Sequence, residues 1–254
     1  MGTNLSEFVP RYHGRQTIND EEYVVMQNLT LDFDPAETHI MDVKMGKRTF
    51  MESEVTNQKK RMDLLQKMVK ACKGEATEEE LVEGITKQRY QQFRERMSTS
   101  AEHGFRVDAM QIPEANGNSI SAERAKKISC AHDVQACFCQ FLAGRKDCWA
   151  LILDRLKALR NILGDSSWFF QHELVGSSIL FAFDMSKPGN DRCGIWMIDL
   201  AHALPSDTDL NHCSEWVQGN HEEGYLTGLD NLIEIWQGLT IALKQPSPES
   251  TSRP

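Results

Sequence analysis

HIMDVKMGKRTF, residues 39–50, begins with the pattern of a strand and places an acid and a base two positions apart before a glycine. Side chains alternate between the two faces of a strand, so Ile40, Asp42 and Lys44 are predicted to share one face in steps of about 7 Å. Gly46 then permits a sharp turn or a close backbone approach. A strand end with solvated charges fits this pattern, and so does a cleft that holds a paired acid and base.

The composition limits the class of protein. The chain has 254 residues, 40% hydrophobic and 26% charged, which is typical of one large domain or two small lobes. Its net charge of −9 argues against a nucleic-acid partner, because duplex binding needs a basic face. Seven cysteines without a CxxC pair favour reduced thiols in a cytoplasmic protein over a disulfide framework or a zinc site. We expect no signal peptide and no membrane span.

Periodicity and turn residues predict an order of elements. Strands are expected at 23–29, 39–45, 104–110, 174–184 and 194–199, the last two joined by a hairpin turn over SKPGND. A polar, mostly helical insertion is expected from about 50 to 97, with a capping box formed by Thr77 and Glu80. Further helices are expected at 122–142, 149–163 and 223–244, and the tail 245–254 is expected to be disordered.

Two further groups of residues have the chemistry of a phosphate site. Asp199 ends the apolar run GIWMID, and an acid at the mouth of a buried strand can hold a metal ion against a phosphate. Lys87, Tyr90 and Arg94 fall on one side of a helix, with Arg61 among the cations upstream. Such cations in an acidic protein suit a small polyanion. A strand that exits into water and a solvated charged helix are the alternatives.

Other nucleotide and hydrolase signatures are absent from the sequence. There is no Walker loop, no GxGxxG and no HExxH. Ser178 follows Gly176 and Ser177, but the final glycine of a nucleophile elbow is missing. These serines fit either a hydroxyl site beside a nucleotide or the structural start of a strand.

Three stretches together resemble the signatures of one family. PAETHIMDVKMGKRTF (35–50), VGSSILF (175–181) and WMIDLAHA (196–203) are similar, in order and spacing, to the PxxxDxKxG, Ser-Ser-apolar and Ile-Asp motifs of the inositol polyphosphate kinases. ITKQRYQQFRE, GFRVDAM and GYLTGLDNLI look like the inositol 1,4,5-trisphosphate 3-kinase branch. The resemblance runs from about residue 8 to residue 239.

The resemblance implies an α+β fold of two lobes, similar to a protein kinase, with ATP between the lobes and a helical substrate-binding insertion. It divides the chain into a partial N-terminal lobe and hinge at 1–49, the insertion at 50–103, a C-terminal catalytic lobe at 104–244 and the tail. Because relatives carry an ATP-contacting lysine upstream of the segment that begins at Phe8, we expect an N-terminally truncated lobe. Calmodulin binding is expected only through an upstream segment that this sequence does not contain.

The resemblance also implies an activity linked to calcium signalling. It is the phosphorylation of inositol 1,4,5-trisphosphate at its 3-hydroxyl by ATP with Mg²⁺, giving inositol 1,3,4,5-tetrakisphosphate. Two alternatives stay open, a truncated isoform that binds inositol phosphates without catalysis and a broader multikinase.

The resemblance also implies the site residues, by their positions in the matching motifs. Asp42 would lie beside the reacting hydroxyl, Lys44 would bridge the transferred phosphate and the substrate, and Asp199 would hold magnesium. The substrate phosphates would be contacted by Arg61, Lys87, Tyr90 and Arg94. The nucleotide would be contacted by Gln27, Asn28 and, more weakly, Ser178, whereas Gln111 stands where the branch has a substrate-contacting lysine.

Overall fold

The computed structural model describes residues 4–113, 122–125, 127–186 and 192–244. Its strands are β1 (Tyr12–Ile18), β2 (Glu21–Met26), β3 (Thr38–Met45), β4 (Phe105–Gln111), β5 (His172–Leu174), β6 (Ser178–Asp184), β7 (Cys193–Ile198) and β8 (Ala203–Pro205). Its helices are α1 (Glu52–Val55), α2 (Met62–Ala71), α3 (Glu78–Glu83), α4 (Lys87–Arg96), α5 (Ser100–His103), α6 (Ala122–Ala125), α7 (Ala131–Leu142), α8 (Lys146–Gly164), α9 (Ser167–Phe170) and α10 (Tyr225–Lys244). The predicted α+β class is confirmed.

The central sheet is antiparallel, with its strands in the order β4-β3-β6-β7. Along β3 the side chains of Met41, Val43 and Met45 are fully buried, whereas those of Ile40, Asp42 and Lys44 are half-buried. The alternation predicted from the sequence is therefore present. One face of the sheet belongs to the core, and the other carries the acid and the base.

Helices α7, α8 and α10 contribute to the buried cluster behind that sheet. Trp236 of α10 stacks on Phe181 of β6 with ring centroids 5.4 Å apart. The indoles of Trp236 and Trp149 each donate a hydrogen bond to the other residue's carbonyl oxygen, at 3.1 and 2.9 Å. Each large side chain buried in this way contributes about 2 kcal/mol, so the sheet is a rigid floor for whatever lies on its other face.

A hairpin of β1 and β2 precedes the sheet. The sequence predicted one strand at 23–29, but β2 ends at Met26, and β1 was missed because YHGRQTI lacks an apolar alternation. Asn19 and Asp20 at its turn have φ of 50° and 64°. Asn and Asp tolerate these left-handed values, which a tight hairpin turn requires.

Other boundaries also differ from the prediction, and one of them is the start of α8, which lies at Lys146 instead of residue 149. The expected helix 122–142 is two helices, because Cys130 before α7 is extended with φ of −143°. The expected strand 174–184 is two strands, because Gly176 at φ of +72° turns the chain between Leu174 and Ser178. The last helix begins at Tyr225. Residues 187–191 of the predicted hairpin turn and the tail 245–254 lie outside the described residues.

The segment between β3 and β4 is helical, with a small apolar cluster of its own. Leu65 and Met68 of α2 pack with Ile85 and with Phe93 of α4. The predicted capping box is present, since Thr77 accepts from Glu80 N and Glu80 accepts from Thr77 N. Across the described ranges, no helix combines the length and the apolar character that a membrane span needs.

Candidate functional site

Two cavities adjoin at Asp199, which lines both. The polar cavity has a volume of about 360 Å³ and is lined by residues that include Lys44, Thr49, Lys87 and Gln91. The apolar cavity has a volume of about 580 Å³, and its lining includes Val9, Met26, Gln27, Trp168, Met197 and Leu200. A charged compartment therefore lies beside an apolar one, with a carboxylate at their junction.

Lys44 lies on the floor of the polar cavity. In the sheet it pairs with Ser178 of β6 on one side and with Arg106 of β4 on the other. Its ammonium donates a hydrogen bond of 2.8 Å to the carbonyl oxygen of Gly176. This bond fixes the position of Nζ, and among the described residues it uses one of the three N–H groups, so two can bind a ligand.

Asp42 occupies the same face of β3, two residues before Lys44. Burial raises the pKa of its carboxyl; Ser178 and Lys44 oppose that shift, and the carboxylates of Asp108 and Asp199 add to it. Asp42 Oδ1 is buried and has no hydrogen-bond partner of good geometry among the described residues. A carboxyl with a raised pKa and an unpaired oxygen is suited to accept a proton from a bound hydroxyl group.

Asp108 lies on this face of β4, at a β-bulge and two residues after Arg106. The register of β4 against β3 shifts between Asp42 and Val43, whose partners are Ala109 and Val107, so Asp108 is the extra residue. Because side chains alternate along a strand, Asp108 shares the face of Arg106, which pairs with Lys44, and the bulge allows Ala109 to face Asp42 as well. Asp108 Oδ1 accepts a hydrogen bond from Arg106 Nε at 3.0 Å and contacts Arg94 Nη2 at 3.5 Å.

The ionisation of Asp108 follows from these neighbours. Burial alone would raise the pKa of its carboxyl, but Arg106, Arg94 and Lys44 lower it below the usual value. Asp42 and Asp108 therefore share a face of the sheet with opposite shifts in pKa, one raised by desolvation and the other lowered by cations.

Asp199 follows the last residue of β7 and has left-handed backbone angles, with φ of 59° and ψ of 40°. A non-glycine residue in this conformation is uncommon, although aspartate tolerates it better than most. The turn leads into a short helical segment, Leu200–His202, and leaves the Asp199 side chain exposed. The carboxylate therefore lies where the strand opens into both cavities.

Helix α4 covers the polar cavity and is anchored to the loop after β3. Glu95 is buried, with 7% of its surface exposed, and accepts hydrogen bonds from Thr49 N at 2.6 Å and Thr49 Oγ1 at 2.8 Å. Lys87 and Gln91, one turn apart on α4, line the cavity, and Lys87 Nζ donates to Glu54 Oε1 at 2.7 Å. This anchor fixes the cations of α4 relative to Lys44.

The structure gathers several of the predicted site residues. Lys44, Lys87 and Asp199 line the polar cavity, and Gln27 lines the apolar one. Asp42 and Ser178 are close neighbours on the adjacent strands β3 and β6. Arg94 contacts Asp108, which interacts electrostatically with Lys44.

Other predicted residues do not line either cavity. Arg61 forms a two-point ion pair with Asp63, at 2.7 Å for each contact. Tyr90 packs near Phe93, with ring centroids 6.3 Å apart. Asn28 Oδ1 accepts from the backbone N–H of Thr30, and Gln111 pairs with Ile40 at the far end of β4. The roles given to these residues stay predictions.

Sequence reasoning missed three polar residues of this region. Thr49 and Gln91 line the polar cavity, and Asp108 contacts Arg94. Gln91 lies four residues after Lys87, so helical spacing could have identified it. Strand alternation places Asp108 on the face of Arg106, but the sequence alone did not indicate that this face of β4 lies beside Lys44.

The donor set fits a magnesium ion bound together with phosphates. Asp199 is an exposed carboxylate at the junction of the cavities, and no cluster of three or more His, Cys, Asp or Glu side chains able to hold a metal ion occurs among the described residues. Magnesium commonly takes one or two protein carboxylates and completes its shell with phosphate oxygens and water. Magnesium binding here therefore does not require a site in which every ligand comes from the protein.

Comparisons with known proteins agree with this geometry. A family model described as inositol polyphosphate kinase matches residues 23–237. An inositol-trisphosphate 3-kinase homolog of Caenorhabditis elegans is 42% identical over 92% of the chain, and human inositol-trisphosphate 3-kinases B and A are 38% and 37% identical over 91% and 94%. The chain spans 47%, 24% and 51% of the lengths of these three relatives.

A solved structure has a similar fold. The inositol phosphate multikinase Ipk2 of S. cerevisiae, crystallised with ADP and Mn²⁺, superposes with a TM-score of 0.59 at 17% identity. The match covers 94% of this chain and 91% of that one. At this level of identity the likeness concerns the fold alone, and it confirms the fold class expected from the sequence.

Proposed function

Because the chain belongs to the inositol polyphosphate kinase family, we propose that it transfers the terminal phosphoryl group of ATP to the 3-hydroxyl of inositol 1,4,5-trisphosphate. The products are ADP and inositol 1,3,4,5-tetrakisphosphate. The observation that carries the proposal is the junction at Asp199, where a cavity lined by Lys44 and Lys87 meets an apolar cavity.

The apolar cavity suits the nucleotide base. Met26, Met197 and Leu200 supply apolar surface, and Gln27, which follows directly after β2, also lines the cavity. A planar base buries well between aliphatic side chains and takes its specificity from a few polar groups. The phosphates of ATP would then extend towards Asp199.

The polar cavity suits a small polyanion. Its cations, Lys44 and Lys87, lie on the sheet and on α4, so they approach a ligand from two elements. Arg94 lies seven residues after Lys87, on the same side of α4. Charge-assisted hydrogen bonds from such groups bind phosphate oxygens strongly.

The transfer step requires little more than alignment and neutralisation of charge. Asp42 accepts the proton of the 3-hydroxyl as that oxygen bonds to phosphorus, and the bond from phosphorus to the bridging oxygen of ADP breaks. Lys44 stabilises the negative charge that develops on the transferred group. Magnesium, held by Asp199, would neutralise the charge on the nucleotide phosphates when it is bound.

The state of the cysteines fits a cytoplasmic location. All seven cysteines, each within the described part of the chain, are free of disulfides, which is usual in a reducing compartment.

Identification of the product tests the proposal. Purified protein is incubated with ATP, Mg²⁺ and inositol 1,4,5-trisphosphate, and the phosphorylated position is assigned by NMR. We expect a single new phosphate at position 3. A product phosphorylated elsewhere, or at several positions, would favour the broader multikinase.

Calorimetry separates the remaining alternative. An isoform that only binds inositol phosphates would give heat with inositol 1,4,5-trisphosphate, no heat with ATP or its non-hydrolysable analogue, and no product. We expect both ligands to bind, because both cavities are lined by side chains of matching chemistry.

A further inference from the structure

Asp108 is an acid beside cations that the proposed function assigns to a polyanionic substrate. Its side chain is 35% exposed, whereas those of Arg94 and Arg106 are 17% and 7% exposed. A carboxylate near a polyphosphate costs binding energy through repulsion. We therefore expect Asp108 to make a favourable contribution to substrate binding that offsets this repulsion.

The arginines of α4 differ in the carboxylates with which they form ion pairs. Arg89 is paired with Glu75 and Glu80, and Arg96 is paired with Glu75, all on the side of the helical segment that includes α3. Arg94 contacts no carboxylate other than Asp108 among the described residues. Arg94 is also the arginine that lies on the same side of α4 as Lys87 and Gln91.

Arg106 fixes Asp108 in turn. Its Nε donates to Asp108 Oδ1 at 3.0 Å, and its Nη1 donates to Ser100 Oγ at 3.1 Å. Arg106 pairs with Lys44 across the two strands, and Asp108, two residues along β4 from Arg106, lies on the same face. A chain of contacts therefore runs from the buried end of the sheet through Arg106 and Asp108 to Arg94.

We propose that Asp108 is a positioning residue that holds the guanidinium of Arg94 towards the polar cavity for a substrate phosphate. The inference rests on the proposed function, and it adds a residue that acts on substrate binding through Arg94. A flexible arginine loses side-chain entropy when it binds a phosphate, and a fixed carboxylate removes part of that loss in advance. The gain must exceed the repulsion between Asp108 and the substrate.

A double-mutant cycle tests the proposal. The four proteins are the wild type, Asp108→Asn, Arg94→Ala and the double variant, and the readouts are the KM for inositol 1,4,5-trisphosphate, its Kd by calorimetry, kcat and the KM for ATP. We expect Asp108→Asn to raise the KM and Kd for the inositol phosphate about 5-fold or more, with kcat and the KM for ATP nearly unchanged. In the Arg94→Ala background the same change should have little further effect.

Two outcomes would overturn the proposal. An unchanged or lowered KM in Asp108→Asn would mean that repulsion dominates and that Asp108 does not assist binding. Equal effects in both backgrounds would mean that Asp108 acts independently of Arg94. Glu102→Gln is the matched control, because Glu102 is an acid on neighbouring α5 with 77% of its side chain exposed.

Folding is monitored by thermal melting, because Asp108→Asn removes the negative charge that pairs with the buried Arg106. If that variant is unstable, Asp108→Glu replaces it in the cycle, since glutamate keeps the charge but displaces the carboxylate by one methylene. It should also raise the KM, by a smaller factor, only when Arg94 is present. A wild-type protein without kinase activity or inositol phosphate binding would instead refute the proposed function.

Discussion

Lys44 donates a hydrogen bond of 2.8 Å to the carbonyl oxygen of Gly176, so the loop between β5 and β6 fixes the cation on the floor of the polar cavity. Gly176 has φ of +72°, a conformation that glycine adopts without strain. The acceptor and the cation thus belong to the two sequence stretches, 175–181 and 35–50, that carry family signatures. This hydrogen bond joins the two stretches through one ammonium group.

Substitution of Lys44 tests that interpretation. Lys44→Met keeps most of the side-chain length but removes the charge, and we expect kcat/KM to fall by about 10²-fold or more, as for loss of a preorganised donor. The fold should persist, because Lys44 is half-buried on the cleft face and not part of the core. Steady-state kinetics measures the loss in kcat/KM, and a melting curve measures whether the fold persists. Lys157→Met, an exposed substitution on α8, should match the wild type.

Asp199→Asn should separate binding from turnover. The substitution preserves shape but weakens the ligand for magnesium, so we expect turnover to be lost while the Kd for inositol 1,4,5-trisphosphate stays nearly unchanged. Calorimetry without nucleotide measures that Kd. A large loss of inositol phosphate affinity would show that Asp199 acts on the substrate directly.

The raised pKa of Asp42 predicts a pH dependence of the rate. If Asp42 accepts the hydroxyl proton, kcat/KM falls as the pH drops through its pKa, and this limb lies above the value of about 4 for an ordinary aspartate. In Asp42→Asn the rate should fall by about 10²-fold or more, and the limb should disappear. A variant that retains the same acid limb would assign it to another group.

Asp42→Asn should also change stability, with a definite sign. Because the folded state raises the pKa of this acid, ionisation of Asp42 opposes folding once the pH exceeds the unfolded pKa. Asparagine removes that cost, so the variant should melt at a higher temperature than the wild type at pH 7. A lower melting temperature would mean that the charged carboxylate makes a net favourable contact.

The pKa of Asp184, a buried residue at the end of β6 that lines neither cavity, is shifted in the opposite direction. Burial alone would raise its pKa, but hydrogen bonds from Ser186, from the backbone N–H of Asp34 and from Arg192 hold the pKa at about 2. Its stabilisation is therefore present above the ordinary pKa of 3.8 and is lost as the pH falls from there towards 2.

Denaturation at two pH values checks this assignment. Asp184→Asn should cost about 2 kcal/mol at pH 7, and the difference from the wild type should shrink as the pH approaches 2. Asp207→Asn, at an exposed position, should cost little at either pH. A loss for Asp184→Asn that is independent of pH would attribute the effect to packing instead of ionisation.

Much of the floor of the site could be predicted from the sequence. The alternation in HIMDVKM identified the face of β3 that holds Asp42 and Lys44, because a strand with one buried face has a fixed period of two. The end of an apolar run identified Asp199. Helical spacing identified the side of α4 that carries Lys87 and Arg94. Each of these signals is local to one element.

The remaining features depend on contacts between distant elements. Asp108 lies on the cleft face because Arg106, two residues before it, pairs with Lys44, and neither strand alone encodes that pairing register. Arg61, predicted by position to be a substrate ligand, forms an ion pair with Asp63 two residues away, and its role stays a prediction. The break at Cys130 was also missed, because the helix-forming residues on both sides of it hid the boundary. Pairing and register override local propensity at these points.

Transfer of a labelled phosphate is the most direct test of the central claim. Wild-type protein and Asp199→Asn are incubated with ATP labelled in the terminal phosphate, Mg²⁺ and inositol 1,4,5-trisphosphate, and the label is followed into inositol tetrakisphosphate. We expect the wild type to transfer label to the 3-position and the variant to transfer none. Wild-type protein that binds both ligands yet leaves all label in ATP would contradict the claim that these two cavities form a kinase active site.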